Sequence, residues 1–66
     1  MSWNYRVLER AGEFAIHEVF YDAAGTIIGW TETPVFPRGE SLEDLVQDLE
    51  RYADAVKKPV IVDKGE

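Results

Sequence analysis

The sequence predicts a small α+β domain over residues 1–66, with the element order β-β-β-α-β. Three segments near the N-terminus alternate polar and apolar residues and are separated by tight-turn residues, as in an antiparallel meander. A later segment repeats apolar residues every three or four positions, which is typical of an amphipathic helix. A β-branched run after Pro59 predicts a short fourth strand.

The three meander strands are predicted at residues 3–10, 13–22 and 26–33, which are rich in aromatic and β-branched residues. The Ala-Gly pair at 11–12 indicates a two-residue turn, although Ala is weaker than Asn or Asp at its first position. The Asp-Ala-Ala-Gly sequence at 22–25 indicates a type I turn, with Asp at its start and Gly in the left-handed position.

The helix is predicted between an extended connector and a proline stop. Residues 34–39 contain two prolines, which fit neither a helix interior nor a central strand. Ser41 is the expected N-cap, with Asp44 completing a weaker capping box, and Pro59 ends the helix. Residues 60–62 form the fourth strand. The stripe expected to face the sheet consists of Leu42, Leu45, Val46, Leu49, Tyr52, Ala53 and Val56.

The turn lengths predict the strand registers and therefore the two sheet faces. The first turn places Val7 opposite Ile16, and the second loop places Phe20 opposite Ile28 and Glu18 opposite Trp30. One face then collects Trp3, Tyr5, Val7, Phe14, Ile16, Phe20, Ile28 and Trp30. The other collects Asn4, Arg6, Leu8, Ala15, His17, Val19, Tyr21, Ile27 and Thr31. Glu9, Glu18 and Glu32 fall on the first face, so either they lie at its rim or the register differs there.

A single helix covers one sheet face, and the larger apolar set is the expected one. The second face is either ordinary apolar surface or a contact surface for a second copy or another protein. Small size favours the contact surface, since 66 residues without cysteine must be stabilised by packing, by self-association or by both. The candidate interaction residues on this face are Leu8, His17, Val19, Tyr21 and Ile27.

The charge balance excludes some classes of partner. Thirteen acidic residues against seven basic ones give a net charge of −6, which disfavours nucleic acid and anionic membranes. A basic protein partner is compatible with this charge. The N-terminus lacks a signal-peptide pattern, and the absence of cysteine fits a cytoplasmic location.

No enzyme signature or cofactor motif emerges, and we expect no catalytic residue, metal or cofactor. Zero cysteines and one histidine exclude a Cys/His zinc site. His17 has no expected catalytic partner, because Glu18 points to the opposite face of its strand and Ser41 caps the helix. The helix acids form either a cation site or a solvated face, with Asp48 pairing to Arg51; their spread along the helix favours the solvated face.

Two stretches resemble known families. The Gly-Glu-Ser-Leu-Glu-Asp-Leu segment at 39–45, following three strands, resembles the helix start in the partial ribonuclease H-like domains of HicB-type antitoxins. That resemblance implies a fourth strand parallel to the first, the sheet order 3-2-1-4 and binding of a small basic toxin. The segments at 5–10 and 13–19 resemble short bacterial proteins of unknown function, which implies no activity.

These observations together predict a non-enzymatic protein-interaction domain that associates with itself. The alternative is an antitoxin-like neutraliser of a small basic protein.

Overall fold

A computed structural model describes residues 1–64, which form four strands and one helix in the predicted order. The elements are β1 (Ser2–Arg10), β2 (Glu13–Tyr21), β3 (Ile27–Trp30), α1 (Leu42–Ala55) and β4 (Ile61–Asp63). The sheet order is β3-β2-β1-β4, with β4 parallel to β1 and the other neighbours antiparallel. The predicted fold class is confirmed. The predicted domain of residues 1–66 includes two residues, 65 and 66, that lie outside the described part of the chain.

The first hairpin turns through two residues with left-handed backbone. Ala11 has φ of 54° and Gly12 has φ of 83°, as a type I′ turn requires at both central positions. The Gly12 N–H also donates to a carboxylate oxygen of Glu9 at 3.1 Å. This turn fixes the register of β1 and β2, and Val7 faces Ile16 as predicted.

The register of β2 and β3 agrees with the prediction at Tyr21, which pairs with Ile27, and differs from it by one residue beyond a bulge. The predicted pairing of Glu18 with Trp30 is wrong, because Val19 faces Trp30. Phe20 likewise pairs with Gly29 and not with the predicted Ile28. A bulge beside Phe20 adds one residue to the ladder, and such a shift moves side chains to the opposite face. Trp30 therefore lies on the sheet face that carries Val19.

That face, which we call the far face, lies opposite the helix, and its central side chains are buried. Leu8 is 1% exposed and Val19 is 0% exposed. The Arg6 guanidinium donates to the Pro59 carbonyl at 2.9 Å, which joins β1 to the segment before β4. Arg10 donates to the carboxylate of Asp63 in β4 and to the carbonyl of Glu32 after β3. These contacts join β1 to β4 and to the segments that follow β3 and precede β4.

The helix packs against β1 on the other face. Its start follows the predicted cap, since Ser41 Oγ accepts a hydrogen bond from the Asp44 N–H at 3.1 Å. The Tyr52 ring lies against the Tyr5 ring with centroids 4.4 Å apart. Ala55 completes the buried contact one turn later.

Candidate interaction surface

The face that α1 presents to the sheet is not the predicted leucine stripe. The buried residues of α1 are Asp48, Tyr52 and Ala55, and Leu45 is half-buried. Of the predicted stripe, Tyr52 is buried and Leu45 half-buried, so the prediction that the stripe faces the sheet is wrong for its other five residues. Asp48, predicted on a solvated face, lies in the contact instead.

The polar anchor at Asp48 explains this rotation. One carboxylate oxygen accepts hydrogen bonds at 3.3 Å from the Tyr5 hydroxyl and from the Arg51 guanidinium. The other accepts the backbone N–H of Arg38 at 3.0 Å, which ties the connector to the helix. With its hydrogen-bonding capacity met in this way, a buried carboxylate is tolerated. The predicted pairing of Asp48 with Arg51 is confirmed.

The two tyrosines beside Asp48 have perturbed acidity. Burial raises the pKa of the Tyr5 hydroxyl above its ordinary value, and the negative charge of Asp48 adds to the effect. Burial also raises the pKa of the Tyr52 hydroxyl strongly, with further contributions from Tyr5 and Asp48. Both phenols are therefore held neutral in the folded state.

The rotation leaves an apolar stripe of α1 without a partner among residues 1–64. Its four large side chains, Leu42, Val46, Leu49 and Val56, are 77%, 47%, 48% and 63% exposed. Ala53, also exposed, lies between the last two. The alternating spacing of four and three residues is that of the a and d positions in a helix-to-helix seam. We call Leu42, Val46, Leu49, Ala53 and Val56 the helix stripe.

An apolar hollow adjoins one end of the helix stripe. It has a volume of about 430 Å³ and opens on the helix side of the sheet. Phe14, on its wall, is 67% exposed. Because Val56 belongs to both features, the hollow and the helix stripe form one continuous surface. The residues that line this sheet hollow are Val7, Phe14, Ala15, Ile16, Val56 and Val60.

The two ends of the helix carry opposite charges. Glu43 and Asp44 lie in the first turn, and Lys57 and Lys58 follow the last. Lys57 also lies 3.8 Å from the carboxylate of Asp54 in an exposed pair. The helix stripe therefore runs from an acidic end to a basic end.

The predicted interaction face is largely internal. Leu8, His17 and Val19 are buried in the folded chain, so the prediction that they lie exposed is wrong. Tyr21 is half-buried, and its hydroxyl contacts the side chains of its neighbours on β1. Ile27 is exposed on the edge strand.

His17 is held by the chain after β3. Its Nδ1 lies 2.8 Å from the Thr31 carbonyl oxygen and 3.4 Å from the Thr31 hydroxyl. The ring is buried, and Glu18 is on the opposite face of the strand. This arrangement fixes the ring in the core, where the partner of Nδ1 within residues 1–64 is Thr31 rather than a carboxylate.

Within residues 1–64, no three His, Cys, Asp or Glu side chains are grouped closely enough to hold a metal ion. The helix acids predicted as either a cation site or a solvated face include no such group. Across the described part of the chain, no helix has the length and apolarity to cross a bilayer.

Comparisons of the chain with family models, with curated proteins and with solved structures find no match.

The sequence pattern indicates only part of the surface formed by the helix stripe and the sheet hollow. The strict four-three spacing from Leu42 to Val56 is a distinct signal within the broader stripe. Phe14 and Val60 carry no such signal, because their exposure depends on where the helix ends over the sheet.

Proposed function

We propose that this chain is a non-enzymatic protein-interaction domain that forms a homodimer through the helix stripe and the sheet hollow. The observation that carries the proposal is the exposure of four large apolar side chains at seam spacing on one helix face. Single exposed apolar residues are normal on protein surfaces, whereas a continuous apolar surface marks a contact site.

The energetics favour association for a chain of this size. A 66-residue domain buries a small core, and a second copy adds apolar burial to it. Fully burying one Leu or Val side chain is worth roughly 1.5–3 kcal/mol. A standard interface takes about 800 Å² from each partner, which is about one sixth of the 4893 Å² surface of this chain.

The test compares two aspartate substitutions on opposite sides of the same helix. Leu49→Asp places a charge at the centre of the helix stripe, and Gln47→Asp adds the same charge at an exposed position outside it. We expect sedimentation velocity to show a monomer for Leu49→Asp and a dimer for Gln47→Asp and the wild type. Circular dichroism checks that each variant is folded.

Equal sedimentation of the two variants would contradict the proposal. A folded Leu49→Asp protein that still dimerises would show that the contact lies elsewhere.

The cysteine-free composition supports a cytoplasmic location for this function.

The second candidate function is neutralisation of a small basic protein, as the resemblance to HicB-type antitoxins implies. The net charge of −6 favours it, because complementary charge accelerates encounter and selects basic partners. The test reads the genes that flank this one and titrates the chain with the product of any that encodes a small basic protein. A complex that weakens as salt rises supports this function, and no complex at low salt contradicts it.

A further inference from the structure

We infer that the second copy pairs its helix antiparallel to the first, about a twofold axis at Leu49, and that its Leu42 fills the sheet hollow. This inference rests on the proposed self-association and specifies its geometry. It follows from the symmetry of the helix stripe, the charges at its ends and the position of the hollow.

The helix stripe is symmetric about its centre. Leu42 and Val56 lie seven residues on either side of Leu49. Val46 and Ala53 lie three and four residues from it. A twofold interface brings the same patch of both copies together, so the patch must match itself after rotation. Antiparallel pairing meets this requirement. It places Leu42 against Val56 of the second copy, and Val46 against the small side chain of Ala53.

The charges at the helix ends select the same direction. Antiparallel pairing brings Glu43 near Lys57 of the second copy, and the symmetry produces this contact twice. Parallel pairing would bring acidic ends together and basic ends together, and would align the two helix dipoles. Lys57 is available for this contact, since its pair with Asp54 is exposed and 3.8 Å long.

The sheet hollow supplies a place for the most exposed residue of the helix stripe. Leu42 projects from the first turn at 77% exposure. In the antiparallel pair, Leu42 of one copy faces Val56 of the other. Val56 lines the hollow together with Phe14 and Val60. The antiparallel pair therefore delivers Leu42 of each copy to the hollow of the other. Leu42 and Phe14, both exposed in the single chain, are buried together in this arrangement, which a second copy provides.

The absence of cysteine in the chain permits a direct test by disulfide crosslinking. Three single variants are prepared: Leu42→Cys, Val56→Cys and, as a control outside the helix stripe, Gln47→Cys. A disulfide needs Cα atoms within about 7 Å, so it forms readily only between facing positions. Mass spectrometry distinguishes the mixed disulfide from the two symmetric ones.

We expect an equal mixture of Leu42→Cys and Val56→Cys to form the mixed disulfide in clear excess over the statistical proportion that random pairing gives. Gln47→Cys should form none at the same rate. Excess symmetric Leu42→Cys product would overturn the antiparallel geometry while leaving self-association intact. A wild-type dimer by sedimentation, with no excess crosslinking at either position, would overturn the geometry by placing the contact elsewhere. A wild-type monomer by sedimentation would overturn the proposed function itself.

Discussion

The Tyr5 hydroxyl donates a hydrogen bond of 3.3 Å to the carboxylate of Asp48, joining the central strand to the helix. This contact places an acidic residue of α1 against the sheet and turns the helix stripe outward. The same carboxylate holds the connector through the Arg38 N–H. A buried polar contact thus determines which apolar surface is available to a partner.

Removing the Asp48 carboxylate should destabilise the fold. Asp48→Ala leaves the Tyr5 hydroxyl and the Arg38 N–H without their acceptor, and unsatisfied buried groups cost about 1–3 kcal/mol. The measurement is the free energy of unfolding in urea. Asp54→Ala, an exposed aspartate on the same helix, is the matched control and should change stability by less than about 0.5 kcal/mol. Equal effects of the two substitutions would show that Asp48 is not an anchor.

The two tyrosines beside Asp48 predict a loss of stability at alkaline pH. Burial raises the pKa of Tyr5 and Tyr52 in the folded state above the unfolded value of about 10. The folded chain therefore retains protons that the unfolded chain loses, and stability falls as the pH rises above about 10.

Urea unfolding between about pH 8 and pH 11 measures this dependence. Tyr52→Phe retains the packed ring but removes its ionisable hydroxyl, so its stability should fall less steeply over the same range. An identical dependence of stability on pH for the wild type and Tyr52→Phe would contradict the raised pKa of Tyr52.

The far face should behave as core. Leu8→Ala removes a side chain that is 1% exposed and should cost about 2–5 kcal/mol. The same substitution at Leu42, 77% exposed, should change the stability of the monomer by less than about 0.5 kcal/mol. Both are measured by urea unfolding at a concentration low enough to exclude association. Similar costs at the two leucines would mean that the far face is open to solvent.

The first hairpin offers a stabilising substitution. Ala11 has a left-handed φ of 54°, which is unfavourable for a residue with a Cβ, and Asn tolerates that region better. Ala11→Asn should raise stability by roughly 0.5–1 kcal/mol, or about 2–8 °C in thermal melting. The contrasting control is Gly12→Ala, which places a side chain at φ of 83° and should lower the melting temperature. A lower melting temperature for Ala11→Asn would contradict the turn assignment.

Local signals in the sequence were sufficient for the element order and the first hairpin. The turn at Ala11 and Gly12 and the cap at Ser41 act over a few residues, so their conformations follow from the residues themselves. The sheet order agreed with what the resemblance at residues 39–45 implied.

Longer-range features could not be predicted in the same way. The bulge beside Phe20 depends on how β3 meets β2, and it moved Trp30 to the far face. The helix orientation depends on Asp48 meeting Tyr5, which are 43 positions apart. Hydrophobic periodicity favours apolar residues at such a contact, and it cannot anticipate a satisfied carboxylate there.

Sedimentation equilibrium of the wild-type chain tests the central claim, self-association through the helix stripe, most directly. We predict a mass that rises with concentration toward twice the 7.5 kDa of the monomer, and a Leu49→Asp variant that remains at 7.5 kDa. A wild-type mass of 7.5 kDa throughout the accessible concentration range would contradict it.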